Sequence, residues 1–197
     1  AFILEKGMKG FTSPKKAVKM GIRGSIAAEL AFSDVRIPKE NLLGELGKGF
    51  KIAMSSLDVG RLGIAAQAIG IAQGAFEQTV KYMKTRRQFG KSLSQFQALQ
   101  FEMAEMETRI DAGRLLLYRA ADKRQKGLPS TVEAAKAKLY CSETAMYVTT
   151  KAVQFHGGYG YTTDYPVERM MRDAKITEIY EGTSEVMKMV ISGSIFN

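Results

Sequence analysis

The spacing of apolar side chains changes character near residue 49. Before that point, short stretches such as residues 31–37 alternate between apolar and polar side chains, and Gly and Pro interrupt them. This alternation is typical of short strands. From Gly49 onward, apolar residues recur every three or four positions, which is the period of an α-helix. The pattern predicts a mainly α protein in which a short β segment precedes a larger helical region.

Three long helices are predicted in the helical region. The first begins at Gly49, and the others cover about residues 94–126 and 130–155. Shorter helices are expected at residues 167–175 and 185–195. In the long helices the apolar residues are spaced alternately four and three positions apart. This spacing favours long helices packed nearly antiparallel, so we predict a four-helix-type bundle. The predicted stripe of the third helix contains Val132, Ala135, Leu139, Ser142, Met146, Thr149 and Val153.

Two features of the sequence bear on domain organisation and packing. Residues 1–46 are expected to be the C-terminal part of a β domain, and residues 47–197 a C-terminal α-helical bundle domain. Two or three strands are too few for an independent sheet, so we expect the chain to be the C-terminal portion of a longer protein. Gly70 and Gly74 form a GxxxG pattern that predicts a close helix contact.

Composition and charge narrow the possible partners. The net charge is +9, but Lys and Arg are scattered along the chain and interleaved with Asp and Glu. The excess positive charge is interpreted first as ordinary solvated surface. The second interpretation is that it binds an anionic ligand such as coenzyme A or a dinucleotide, and the third is that it binds nucleic acid. Cys141 is the single cysteine, so no disulfide within the chain is possible, and the single histidine has no metal-ligand spacing around it. No apolar run approaches the roughly 20 residues of a membrane span.

The most distinctive stretch is ITEIYEGTSEV, residues 176–186. Glu181 lies between an aromatic ring and a Gly-Thr-Ser turn, just before the last predicted helix. Thr183 or Ser184 can cap that helix, and Glu185 suits its first turn. A carboxylate held against apolar surface loses hydration, which raises its pKa and makes it a proton acceptor near neutral pH. The alternative is an ordinary acidic residue ahead of a helix.

Two further pairs of residues suggest binding chemistry. Asp58 and Arg61 lie three residues apart on one helix face. They could contact a substrate, or they could form a surface ion pair that contributes little to stability. Arg86 and Arg87 precede Gly90 in a segment between helices, where they could bind a pyrophosphate or lie solvated.

A third candidate lies at the end of the third predicted helix. Gly157 and Gly158 let backbone amides approach a phosphate, although a helix C-cap explains them equally well. His156 beside them is interpreted from its position as a packed or partly exposed helix-end residue.

Three motifs together resemble one enzyme family. They are RDAKITEIYEGTSEV at residues 172–186, RxxFGK at residues 86–91 and QxxGGxGY at residues 154–161. In this order and spacing the chain is similar to acyl-CoA dehydrogenases, most of all the bacterial short-chain, butyryl-CoA type, from Phe2 to Phe196. The resemblance implies that Glu181 removes the α-proton of an acyl-CoA thioester while the β-hydrogen leaves as hydride to FAD, giving a trans-2-enoyl-CoA.

The resemblance also assigns binding roles. Gly60 matches a position near which a minority of the family bears its base, so Glu181 is left without a rival. The substrate contacts implied by the match are Asp58, Val59, Gly60, Arg61 and Gly182. The implied FAD contacts are Arg86, Phe89, Gln97, Gln154, Phe155, His156, Gly157, Gly158, Thr183, Ser184 and Glu185, of which the RxxFG segment would reach the FAD of a neighbouring subunit.

The implied partners are an acyl-CoA substrate and an electron-transferring flavoprotein. A homotetramer built as a dimer of dimers and a bacterial cytoplasmic location are expected from the same resemblance. One alternative hypothesis is a catalytically incomplete helical fragment that oligomerises without bound flavin. Another is nucleic-acid binding on the basic surface, which predicts salt-sensitive DNA retention. The acyl chain length stays open.

Overall fold

The computed structural model describes residues 1–196 and places five α-helices in that range. They are α1 (Gly49–Thr85), α2 (Gln97–Gln125), α3 (Thr131–His156), α4 (Val167–Lys175) and α5 (Ser184–Phe196). The predicted helical bundle is confirmed, with helix ends within a few residues of those expected. No helix in residues 1–196 has the length and apolar character needed to cross a membrane.

The chain divides into two compact units, and the first comprises Ala1–Leu57. Its strands β1 (Phe11–Thr12) and β2 (Ala31–Phe32) pair antiparallel, with Phe11 opposite Phe32. Strand structure is therefore shorter than the alternation predicts, and Phe2 makes only an isolated bridge to Leu42. None of residues 1–57, all of which are described, is buried, so this unit has no hydrophobic core of its own.

The second unit begins at Asp58, so the division falls within α1. The domain boundary that the sequence indicates, after residue 46, stays a prediction. In this unit α3 is the central helix, because it packs against α2, α4 and α5. The core consists largely of small residues from α1 and α3, and Met106 and Ile110 from α2 belong to the same cluster. Small side chains let these helices approach closely.

The burial pattern of α3 differs from the single stripe that its sequence predicts. Ala135, Ser142 and Thr149 are buried as expected, but buried residues also lie on the other sides of the helix. Because α3 is surrounded by neighbours, polar side chains such as Lys138 and Thr144 are buried with the alanines. Periodicity predicts one covered face and gives no signal for a helix covered on several.

The close helix contact occurs at Gly113 on α2, not at the GxxxG pattern. A Cβ atom at Gly113 would lie 2.7 Å from Ile69 Cδ1 and 3.3 Å from Cys141 Sγ, whereas a Cβ atom at Gly70 would meet open space. At Gly74 a Cβ atom would meet Met170 Cε at an ordinary 3.6 Å, so neither glycine of the pattern marks an unusually close contact and that prediction is wrong. The Cys141 thiol donates to the Gly113 carbonyl oxygen at 3.4 Å, and burial raises its pKa to about 12.

A hairpin follows α1 where the sequence indicates a loop. Strands β3 (Arg87–Gln88) and β4 (Lys91–Ser92) pair antiparallel around Phe89 and Gly90. Both turn residues have positive φ, at 51° and 81°, as a two-residue type I′ turn requires. The Phe89 side chain is 92% exposed as a result.

Candidate active site

Glu181 lies on a left-handed turn between α4 and α5. Its φ is 57° and that of Gly182 is 98°, a conformation that L side chains seldom adopt. Thr183 caps α5, since its hydroxyl accepts a hydrogen bond from the Val186 backbone amide at 3.4 Å. The strained turn therefore presents Glu181 at the start of a helix, as the sequence predicts.

The Glu181 carboxylate lies against Gly60 of α1. A Cβ atom on Gly60 would come within 2.7 Å of the carboxyl carbon, so any other residue at this position would displace the carboxylate. Oxygen Oε2 is buried, and no donor among residues 1–196 reaches it. A buried carboxylate oxygen without a donor is uncommon in folded proteins and suits a group that accepts a proton from a ligand.

Asp58 and Arg61 lie beside Glu181 and form a partly buried network. Arg61 is 7% exposed, and its Nη1 donates to Asp58 Oδ1 at 2.9 Å. Arg61 Nε also donates to the Glu181 carbonyl oxygen at 3.4 Å. The second Asp58 oxygen accepts from the Thr131 hydroxyl at 2.7 Å. The alternative of a solvent-exposed surface pair is therefore wrong.

Lys138 and Gln67 also contact this turn, although sequence reasoning did not single them out. Lys138 on α3 is 0% exposed, and its Nζ donates to the Gly182 carbonyl oxygen at 2.6 Å. Gln67 on α1 accepts a hydrogen bond from the Tyr180 hydroxyl. The available signal for Lys138 is its place on an apolar helix face, four residues after Ala134 and three before Cys141.

The buried position of Lys138 predicts a dependence of stability on pH. Burial lowers the pKa of Lys138 from 10.5 to about 8, with Glu178 opposing the shift and Arg61 adding to it. As pH rises, the folded protein therefore releases the Lys138 proton at a lower pH than the unfolded chain does. Between about pH 8 and pH 10.5 the unfolded chain binds more protons than the folded protein. The free energy of unfolding is expected to rise across this window, by up to about 1.4 kcal/mol per pH unit.

Urea unfolding at about pH 7.5 and about pH 9.5 checks this expectation when the protein and Lys138→Met are compared. The protein should gain more stability with pH than the variant does. Equal changes in the two proteins would contradict a depressed pKa at Lys138.

A cavity of about 470 Å³ lies where α1 and α3 end. It brings together most of the predicted FAD contacts from two separate motifs. Arg86, Gln154, Phe155, His156, Gly157 and Gly158 line it with Tyr82, Gln88, Leu93, Tyr159, Thr162 and Asp164. The Arg86 guanidinium lies 5.5 Å from the centre of the Tyr159 ring, and Cβ atoms at Gly157 and Gly158 would meet open space.

His156 is buried in the wall of this cavity rather than partly exposed. It is 2% exposed, and its ring stacks on Tyr82 with centroids 4.2 Å apart. Nδ1 lies 2.7 Å from the Ala152 carbonyl oxygen, which can only accept, so Nδ1 carries the proton. Burial lowers the pKa of His156, so the ring is neutral near pH 7, and Nε2, which has no hydrogen-bond partner in residues 1–196, is left as a buried acceptor.

The remaining predicted site residues do not line the cavity at Arg86, although Thr183 directly follows the Glu181 turn and Val59 lies beside Gly60. Thr183, Ser184 and Glu185 line a smaller cavity of about 230 Å³, with Lys175, Glu178 and Lys188 among its other walls. Phe89 is on the hairpin turn, with its ring edge-on to Phe96, and Gln97 is exposed at the start of α2. Val59 is 48% exposed on α1. The roles of all these residues stay predictions.

The fold and these motifs define a class of protein. Residues 47–196 match the model of the acyl-CoA dehydrogenase C-terminal domain. The chain therefore belongs to the acyl-CoA dehydrogenase family, and the resemblance seen in the sequence is confirmed.

Individual relatives refine this placement. The chain is 63% identical over 196 residues to a short-chain-specific acyl-CoA dehydrogenase of Clostridium acetobutylicum, covering 100% of this chain and 52% of that protein. The structure of butyryl-CoA dehydrogenase from Megasphaera elsdenii aligns with a TM-score of 0.98 at 58% identity, over 100% of this chain and 51% of that chain. A caffeyl-CoA reductase-Etf complex subunit of Acetobacterium woodii is 49% identical over 195 residues, 99% of this chain and 52% of that protein. The chain thus spans about half the length of the curated relatives it matches.

Proposed function

We propose that this chain supplies the catalytic base and part of the cofactor site of a flavoenzyme that converts a short-chain acyl-CoA, similar to butyryl-CoA, into a trans-2-enoyl-CoA. The observation that carries the proposal is the buried Oε2 of Glu181, which lies against Gly60 and receives no donor from residues 1–196. A carboxylate in this setting is available to a C–H acid of the substrate.

Glu181 acts first on the carbon next to the thioester. Its carboxylate takes the α-proton and becomes a carboxylic acid, while the electron pair of the broken C–H bond moves toward the thioester carbonyl. Because an α-proton is so weakly acidic, that carbonyl must be polarised by hydrogen-bond donors, and backbone N–H groups are the donors that this chain can offer. FAD, when bound, would accept the β-hydrogen as hydride.

The neighbours of Glu181 hold and orient it. Arg61 binds Asp58 and the Glu181 carbonyl at the same time, which ties α1 to the catalytic turn. Gly60 leaves space for the carboxylate, and Gly182 provides the positive φ that the turn needs. These residues would border the acyl-CoA, together with Asp58 and Val59, and a substrate lying there would exclude water from the carboxylate.

The cavity at Arg86 fits the phosphate-bearing part of FAD. Arg86 lines the cavity with a guanidinium cation, which can donate to two phosphate oxygens at once. Gly157 and Gly158 border open space, so a ligand can approach their backbone closely. The buried acceptor Nε2 of His156 would receive a hydrogen bond from a ligand N–H or O–H group. Gln154 and Phe155 would complete this wall, and Phe89 and Gln97 would approach the same ligand from the hairpin side.

The family placement supports a proposal for assembly and electron transfer. We assign the Arg86 cavity to the FAD of a neighbouring subunit, and Thr183, Ser184 and Glu185 to the FAD of their own subunit, in a homotetramer. An electron-transferring flavoprotein would reoxidise the flavin, and one relative is by name a subunit of a reductase-Etf complex. A bacterial cytoplasmic location stays a prediction.

The proposal is tested in the complete enzyme that carries this segment. Purified protein should be yellow, and butyryl-CoA under anaerobic conditions should bleach its flavin absorbance and yield crotonyl-CoA. A colourless protein that assembles into oligomers but binds no flavin would support the alternative, a helical assembly fragment. Nucleic-acid binding would show instead as DNA retention that moderate salt abolishes.

One relative favours a second candidate function, because its name describes a reductase. The same residues would serve the reverse direction, in which protonated Glu181 delivers its proton to the α-carbon of an enoyl-CoA and reduced FAD, when bound, would supply hydride to the β-carbon. Steady-state rates with butyryl-CoA and with crotonyl-CoA, each with a suitable electron acceptor or donor, decide which direction this enzyme favours.

A further inference from the structure

Lys138 is a buried cation that neither the reaction nor the cofactor cavity explains. Lysine is almost never fully buried, because removing an ammonium group from water is costly unless other groups compensate. Lys138 is nevertheless 0% exposed and is the largest fully buried side chain of residues 1–196. Its amino group binds one main-chain oxygen, the carbonyl of Gly182, at 2.6 Å.

The carbonyl that Lys138 binds belongs to the turn that carries the base. Glu181 and Gly182 both have positive φ, and because this conformation is strained for Glu181, surrounding contacts must hold it in place. Arg61 on α1 binds the carbonyl oxygen of Glu181, and Lys138 on α3 binds that of Gly182. Two cations from different helices therefore hold two successive peptide groups.

The charges around Lys138 are those of the site itself. Glu178, Glu181 and Glu185 attract its ammonium group, and Arg61 repels it. No carboxylate among residues 1–196 lies within 4.0 Å of the amino group, so Lys138 makes no ion pair. The lysine holds the backbone of the turn, and the Glu181 carboxylate keeps a free oxygen.

We propose that Lys138 is a positioning residue that holds the Gly182 carbonyl and thereby keeps the Glu181 carboxylate against Gly60, where it can reach the α-proton of the substrate. This inference rests on the proposed function of Glu181. The hydrogen bond at 2.6 Å and the complete burial of Lys138 support it. Without this bond the left-handed turn loses one of its two cationic contacts, and the carboxylate loses its fixed position.

The test uses the complete flavin-loaded enzyme and three variants. Lys138→Met removes the charge and the donor and leaves an apolar side chain one atom shorter, whereas Lys138→Gln removes the charge but keeps an N–H donor at the same reduced length. Lys136→Met is the matched control, because Lys136 is a partly exposed residue on the same helix. Rates are expressed per bound flavin, so that protein lost to misfolding does not count.

Lys138→Met is expected to lower kcat about 100-fold while KM changes less than about threefold, since a misplacement near 1 Å costs a factor of this size. Exchange of the α-protons of acetyl-CoA with D₂O should fall in parallel. Lys138→Gln should also lower kcat and the exchange rate, and Lys136→Met should leave both at the parent values. If Lys138 had only a structural role, its substitution would lower the yield and the melting temperature but leave kcat per bound flavin unchanged.

Two outcomes overturn different claims. If either Lys138 variant that loads flavin keeps kcat within about threefold of the parent while Glu181→Gln is inactive, the positioning role is wrong and the proposed function stands. If Glu181→Gln is itself fully active, the proposed function fails first.

Discussion

Glu181→Gln in the complete enzyme is expected to lower the rate of butyryl-CoA dehydrogenation about 10²–10⁴-fold, which is the usual contribution of a positioned general base. Glutamine matches glutamate in size, so it should fit beside Gly60, but its amide cannot accept the α-proton. The dissociation constant for butyryl-CoA should change little, because the carboxylate makes its essential contact in the transition state. Anaerobic stopped-flow measurement of flavin reduction gives the rate, and a titration of flavin absorbance gives the affinity.

Glu107→Gln is the matched control for this substitution, because it makes the same chemical change on the exposed surface of α2. It should leave flavin reduction at the parent rate. A Glu181→Gln enzyme that reduces its flavin as fast as this control would exclude Glu181 as the base.

Gly60→Ala is expected to separate stability from activity. A Cβ atom at this position would lie 2.7 Å from the Glu181 carboxyl carbon, so the carboxylate must move away. The moving group is the end of a flexible side chain, and alanine favours helix over glycine by about 0.5–1 kcal/mol. The variant should therefore be as stable as the parent or more so, while flavin reduction slows about 100-fold.

The control for Gly60→Ala is Gly63→Ala, one turn further along α1. A Cβ atom at Gly63 would meet nothing within 4 Å, so this change brings the same helix preference without a clash. Urea unfolding should show a similar gain for both variants, with activity lost in Gly60→Ala alone. If the two variants were equally active, the carboxylate would not need the space that Gly60 leaves.

The helical part of the fold could be predicted from the sequence because apolar spacing changes sharply at Gly49. Residues 167–175 match α4 at both ends, since the helix lies between a proline and the turn that leads to Glu181. The surroundings of α3 could not be predicted in this way. Its buried Lys138 and Thr144 depend on neighbours from distant parts of the chain, and periodicity within a helix carries no information about them.

In the candidate site, too, local features could be predicted from the sequence and contacts between distant residues could not. A motif predicts that Glu181 precedes a helix on a turn with Gly182, and the structure has that turn. No local pattern indicates that Arg61 and Lys138 would bind adjacent carbonyl groups, because these bonds join positions 120 and 44 residues apart in the chain. The burial of Arg61 likewise depends on packing, so its spacing from Asp58 alone favoured a surface ion pair.

The most direct test of Glu181 as the base separates proton removal from redox chemistry. Acetyl-CoA has α-protons but no β-carbon, so it can exchange with solvent and cannot be dehydrogenated. Mass spectrometry of acetyl-CoA incubated in D₂O with the complete enzyme should show deuterium entering the methyl group, and Glu181→Gln should reduce this to the rate without enzyme. Equal deuterium uptake with both proteins would contradict the assignment of the base to Glu181.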